Sequence, residues 1–141
     1  MNLLAMHIGR LHIEQLMLLA AVFLGVVHVV LAAQLANAQR GLIYAASARD
    51  EIKPPLTGIA GRAERAMRNY LETFAFFAAV VLLAQGAGVH TSVTAWGAIA
   101  YIFGRIVYLP LYLLGVPLIR SLFWNIANFG MLAIGAAALW E

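Results

Sequence analysis

Long apolar runs, broken at wide intervals by charge, set the pattern of this chain. Residues 15–39 carry no Asp, Glu, Lys or Arg, and neither do 73–104, 106–119 or 121–140. A helix crossing the hydrocarbon of a bilayer needs about 20 mostly apolar residues. The first run predicts one span, roughly 14–38. The second is too long for one span and contains Gln85-Gly86-Ala87-Gly88-Val89-His90-Thr91-Ser92, a turn signal. Two spans are predicted there, roughly 62–87 and 93–114. Gly115-Val116-Pro117 breaks the chain again, and a fourth span runs from about 118 to 140, with Pro117 suited to a first helical turn. The expected fold is an all-α membrane protein: a four-transmembrane-helix bundle in one domain over 1–141, with one substantial polar loop at about 39–61.

Composition agrees. Of 141 residues, 64% are hydrophobic and 11% charged, with a mean hydropathy of +0.88. A soluble domain has about half apolar and about a quarter charged residues. A soluble globular enzyme and a disordered tail are excluded. Cysteine is absent, so the chain has no disulfide, thiolate nucleophile or cysteine metal site of its own. Nine scattered Lys and Arg residues are too few for a nucleic-acid groove. Their placement matters more than their sum. Arg40, Arg49, Lys53, Arg62, Arg65 and Arg68 lie in or beside the long loop, while the 86–92 turn has no Lys or Arg. The positive-inside rule puts that loop and the 115–117 turn in the cytoplasm, and both termini on the other side. In a bacterium this means the inner membrane. Arg10 runs slightly against the rule. Ala36-Asn37-Ala38 resembles a signal-peptidase site, but the preceding apolar run is long and Arg10 is offset by Glu14, so cleavage is not expected.

Some ionisable groups sit too deep. Glu72 lies about 15 Å into the second span, and Arg105 about 13 Å from the cytoplasmic end of the third, at about 1.5 Å per residue. A charge at such depth costs about 3 kcal/mol or more, so it faces the bundle, pairs, or lines a wet cavity. Arg62, Arg65, Asn69 and Glu72 share one helical stripe, with Arg68 about 100° round from Asn69; Arg105, Tyr108 and Tyr112 share another. Arg120 and Ser121 open the fourth span. Together these residues predict a pocket of guanidinium and phenol groups for a small ligand bearing carboxylates and an amine. The plainer alternative is a buried Glu72–Arg105 ion pair locking two helices. That alternative leaves Arg65, Arg68, Asn69, Tyr108, Tyr112 and Arg120 unexplained.

The segment Arg62-Ala63-Glu64-Arg65-Ala66-Met67-Arg68-Asn69-Tyr70-Leu71-Glu72-Thr73 resembles the second-helix signature of the MAPEG family, the membrane-associated proteins of eicosanoid and glutathione metabolism. Gly104-Arg105-Ile106-Val107-Tyr108-Leu109-Pro110-Leu111-Tyr112 is similar to its third-helix signature, and Pro117-Leu118-Ile119-Arg120-Ser121 to the start of its fourth helix. The resemblance is to a bacterial-type member. The resemblance implies a homotrimer that binds glutathione as cosubstrate near the cytoplasmic side, between subunits. It assigns Arg65, Arg68, Asn69 and Glu72, with Arg105, Tyr108 and Tyr112, to glutathione binding. It assigns Arg120 to thiolate stabilisation and Ser121 to a place beside it. The implied activity is glutathione transferase or peroxidase, with a lipophilic substrate arriving from the membrane between helices one and four of adjacent subunits. The chain departs from the family at Met67, where several members have His or Gln, and at Ala75-Phe76, where Pro-Phe is common. The Arg105-to-Arg120 spacing also varies by about one residue among relatives.

The remaining polar residues have plainer roles. His28 is expected to be a packed, hydrogen-bonded histidine. His7, His12 and His90 lack metal-ligand spacing, and no metal site is expected. Asn125 and Asn128 are expected to bond between helices, and Gly25, Gly97, Gly104, Gly130 and Gly135 to allow close helix approach. Trp140 is the best interface anchor among the tryptophans. An approach of Asp50 to Arg120 is conceivable. The competing function is a non-catalytic lipid- or partner-binding protein; a channel is weaker, because four short helices leave no wide pore.

Overall fold

A computed structural model describes residues 11–140. Five helices follow in order: α1 Ile13–Arg40, α2 Leu42–Ala46, α3 Gly58–Gly86, α4 Ser92–Leu114 and α5 Pro117–Trp140. No strand occurs among the described residues. The long helices α1, α3, α4 and α5 are each long and apolar enough to span a membrane. Their bounds fall within a few residues of the sequence expectation. The largest difference is the start of α3 at Gly58 rather than near 62. Pro54 and Pro55 keep the chain extended until Thr57, the residue before the helix, and the first turns of α3 carry Arg62, Arg65 and Arg68. The short α2 lies in the loop and was not anticipated.

The ends of the spans are fixed by local chemistry. α3 closes with Gly88 at φ +72°, Val89 N–H donating to Ala84 O (2.9 Å) and Gly88 N–H to Gln85 O (3.1 Å). α4 closes the same way: Gly115 has φ +79°, and Val116 N–H donates to Leu111 O (3.0 Å). Both are Schellman motifs, which need a left-handed residue at that point. Arg62 Nε donates to Leu113 O at 2.7 Å, so the start of α3 caps the end of α4. Across the loop, Gln39 Nε2 donates to Thr57 Oγ1 (3.0 Å) and Thr57 N–H to Gln39 Oε1 (3.2 Å), closing the neck between α1 and α3.

α4 packs chiefly on α5, and α1 on α3. In lipid the hydrophobic effect does not press helices together, so close packing must do so. A Cβ placed on Gly97 would lie 2.6 Å from the Gly130 carbonyl oxygen, and one on Gly130 would lie 2.5 Å from that of Gly97. A Cβ on Gly104 would lie 2.7 Å from Phe123 O. Those three glycines let the α4 and α5 backbones touch. Gly25 serves α1 in the same manner, facing the Tyr70 ring, whereas Gly135 meets only ordinary contact with Val80. Gly97→Ala or Gly130→Ala should therefore destabilise the bundle by about 1–3 kcal/mol, through overpacking that the backbone cannot relieve. Thermal unfolding in detergent checks this; an unchanged midpoint would remove the close α4–α5 approach from the account.

His28 is packed as expected. It is buried, its Nδ1 lies 2.8 Å from Leu24 O, and its ring stacks on Tyr70 with centroids 4.3 Å apart. Asn125 and Asn128 correct the expectation. Their Nδ2 groups donate to Ser121 O (3.0 Å) and Trp124 O (2.8 Å) of their own helix rather than across an interface. A carboxamide four residues after a helical carbonyl finds that acceptor before it finds a neighbour.

Candidate functional site

The centre of the bundle holds a charge. Arg105 on α4 has 0% relative exposure. Its Nη1 donates to Asn69 Oδ1 at 2.9 Å and its Nη2 to Thr73 Oγ1, both on α3. Helical geometry explains the pair: Asn69 and Thr73 are one turn apart and share the α3 face that meets α4. Aromatic rings surround the guanidinium, with Tyr108, Tyr101 and Tyr70 centroids 5.5, 5.6 and 6.0 Å from its Cζ. Arg105 Nε has no hydrogen-bond partner among the described residues. Tyr101 in turn stacks on Phe77, centroids 3.8 Å apart, and Tyr70 OH donates to Ala21 O at 2.5 Å, which ties α1 to the same centre. Tyr70→Phe should cost about 1 kcal/mol, the worth of one hydrogen bond. Thermal unfolding of that variant measures it.

From Arg105 a chain of rings runs toward the loop end of the bundle. Tyr108 is buried and meets Tyr112 at 5.3 Å between centroids. The Arg120 guanidinium sits 4.4 Å from the Tyr112 centroid, within cation–π range, and is half-buried. Arg105, Tyr108, Tyr112 and Arg120 thus form one connected array, as the sequence stripes implied. Ser121 lies beside it but is exposed, and its hydroxyl donates to Pro117 O at 3.2 Å. Asp50 is exposed in the loop and forms no ion pair with Arg120.

The α3 residues divide. Asn69 turns inward to Arg105. Arg65, Arg68 and Glu72 turn outward and are exposed, and none has an ion-pair partner among the described residues. The buried Glu72–Arg105 pair is therefore absent; Asn69 and Thr73 occupy the guanidinium instead. Twenty residues counted back from Gly86, the length of a hydrocarbon crossing, end near 67, so Glu72 lies about 8 Å inside the apolar layer. A carboxylate there does not face lipid without a partner. The sequence reading missed Thr73, Tyr70 and Tyr101 as neighbours of Arg105. The signal was present: Thr73 is four residues after Asn69, and Tyr101 four before Arg105.

A large apolar groove lies elsewhere, between α3 and α5 around Phe76, Val80 and Met131, toward the far end from Arg120. It is lined by no charged side chain. At that far end, His12, Glu14 and His90 come together, although the spacing of His7, His12 and His90 along the chain suggested no metal site. His7 lies outside the described residues.

Four spanning helices, with a guanidinium held at their centre by an amide, a hydroxyl and tyrosines, define an integral membrane protein with a charged core. A family model, that of the MAPEG family, matches residues 17–140, nearly the whole chain. The chain belongs to the MAPEG family, a four-helix membrane family that includes glutathione transferases and peroxidases as well as other members. No individual curated protein and no solved structure matches it.

Proposed function

We propose that this protein is an integral membrane glutathione transferase, with peroxidase activity where the electrophile is a hydroperoxide. The observation that carries the reading is the array Arg105–Tyr108–Tyr112–Arg120 together with an outward surface of α3 on which Arg65, Arg68 and Glu72 have no ion-pair partner among the described residues. Outward charges at that depth call for a second polar surface, and a homotrimer would supply one from the neighbouring subunit. Glutathione would lie in that cleft on the cytoplasmic side. Arg65 and Arg68 suit its carboxylates, because an arginine fork grips a carboxylate with two parallel bonds. Glu72 suits its ammonium group. Asn69, Arg105, Tyr108 and Tyr112 would complete the polar wall.

The chain has no cysteine, so the reacting sulfur belongs to glutathione. A free thiol has a pKa of about 8.5, and little thiolate exists at neutral pH. A guanidinium beside it in a water-poor site favours the anion and lowers that pKa. Arg120 would do this, with Ser121 next to it. The thiolate attacks a lipophilic electrophile that arrives through the membrane. In transfer, the carbon–sulfur bond forms as the leaving group departs with the bonding electrons. With a hydroperoxide, the first thiolate takes one oxygen and releases an alcohol. A second glutathione then closes the disulfide and releases water.

A second reading has its own support. Arg105 is wholly buried and already bonded to Asn69 and Thr73, as in a strut that locks helices. On that reading the protein binds a lipid or a partner without catalysis. Turnover of a generic aryl-halide electrophile by purified protein separates the two. The transferase reading expects glutathione-dependent product from wild type; no turnover with aryl halides or hydroperoxides would favour the binding protein.

A further inference from the structure

At the end of the bundle away from Arg120, three donor side chains converge. His12 immediately precedes α1, Glu14 lies in its first turn, and His90 lies in the turn just before α4. One ligand atom from each lies within 4.8 Å of the others. Glu14 is buried at 4% relative exposure, and its Oε1 accepts the Thr94 hydroxyl. Its Oε2 lies 3.8 Å from His90 Nδ1, which is itself buried without a hydrogen-bond partner. The two imidazoles stack face to face, centroids 3.7 Å apart and planes within 5°.

We infer that His12, Glu14 and His90 form a binding site for a divalent transition-metal ion of the zinc type. The donor chemistry fits. Two imidazoles and one carboxylate suit zinc, and leave a fourth position for water. The electrostatics fit as well. Glu14 is a carboxylate withdrawn from water whose hydrogen-bond donor is a neutral hydroxyl, and no Lys or Arg among the described residues pairs with it. A bound cation would neutralise it, where an uncompensated buried charge is costly. The surroundings fit too. Thr94 orients the carboxylate, as the outer partners of metal ligands do, and Thr91 and Thr94 fix each other through a capping box at the start of α4. A metal-bound imidazole keeps its second nitrogen for another partner. Parallel rings aim their lone pairs side by side, so ligation turns one ring out of the stack. Rotation about the bond joining ring to Cβ is soft. The ion would clamp the start of α1 to the α3–α4 turn, away from the glutathione cleft and independently of it.

The test uses the full-length, tag-free protein in detergent, stripped with chelator and titrated with Co²⁺. Wild type should bind saturably, one ion per chain, with the visible absorption of a low-symmetry tetrahedral site. Zn²⁺ should displace it and raise the unfolding temperature. His90→Gln and His12→Gln should each weaken Co²⁺ binding by about 100-fold or more, and Thr94→Val by about 10- to 100-fold, the usual cost of losing an outer-shell partner. Glu14→Gln should abolish the coloured site. If that variant does not fold, the two half-exposed histidines carry the test. Lack of saturable binding by wild type overturns the site, and so does binding that persists unchanged in both histidine variants.

Discussion

Arg120→Ala should lower glutathione-dependent kcat/KM by about 100- to 1,000-fold, the usual loss when one donor to a developing or resting anion is removed from a water-poor site. That corresponds to about 3–4 kcal/mol of lost stabilisation. Arg120 sits over the Tyr112 ring at 4.4 Å and is half-buried, so its charge is held in place and incompletely screened. It forms no ion pair among the described residues, which leaves its cation available to a ligand. Folding should survive the substitution, because the side chain lies at the loop end of the bundle and ties no two helices together by hydrogen bond. Arg120→Lys should restore part of the rate, since the positive charge returns without the planar fork. Steady-state kinetics with a generic electrophile, with unfolding measured in parallel, distinguishes a chemical loss from a structural one. Full activity in Arg120→Ala would remove this residue from the chemistry.

Arg105→Ala should act on both stability and turnover. The buried guanidinium makes two charge-assisted bonds, to Asn69 and Thr73, each worth about 1.5–3 kcal/mol. Removing it also opens a cavity among Tyr70, Tyr101 and Tyr108 and leaves the Asn69 carboxamide oxygen without this donor. Relief from burying a charge offsets part of this. A net loss of about 2–4 kcal/mol is expected, within the range for a broken buried network. Arg105→Lys should fail to rescue, because one ammonium cannot span two acceptors that the fork reaches with separate nitrogens. A stable Arg105→Ala protein with full turnover would show that the central charge serves neither role.

The spans were legible because water and hydrocarbon sort residues coarsely. Runs without charge, such as 15–39, could only be membrane-crossing, and Gly88 and Gly115 marked the turns that the structure closes with left-handed residues. Arg105, Tyr108 and Tyr112 were legible as one stripe because helical periodicity is rigid over two turns, and Arg120 was legible beside them because only the short 115–117 break separates the two helices. Periodicity located Arg62, Arg65, Asn69 and Glu72 on one stripe of α3, with Arg68 beside it, but did not say which edge of that stripe turned toward α4 and which outward. That choice depends on how α3 rotates against its neighbours, which Asn69 and Thr73 settle by bonding Arg105. The His12–Glu14–His90 cluster was not legible, because its members come from different helix ends, and only the antiparallel return of the chain at residues 86–92 brings those ends together.

On the proposed function, guanidinium groups in the membrane hold a thiol-bearing anion and stabilise its thiolate, the proton passing to water. The ultraviolet absorbance of the glutathione thiolate, followed against pH with the purified protein in detergent, tests it most directly. Saturable binding is expected, with a bound thiol that ionises well below its free value and a smaller shift in Arg120→Ala. Glutathione that fails to bind, or that binds and titrates as it does in water, would contradict it.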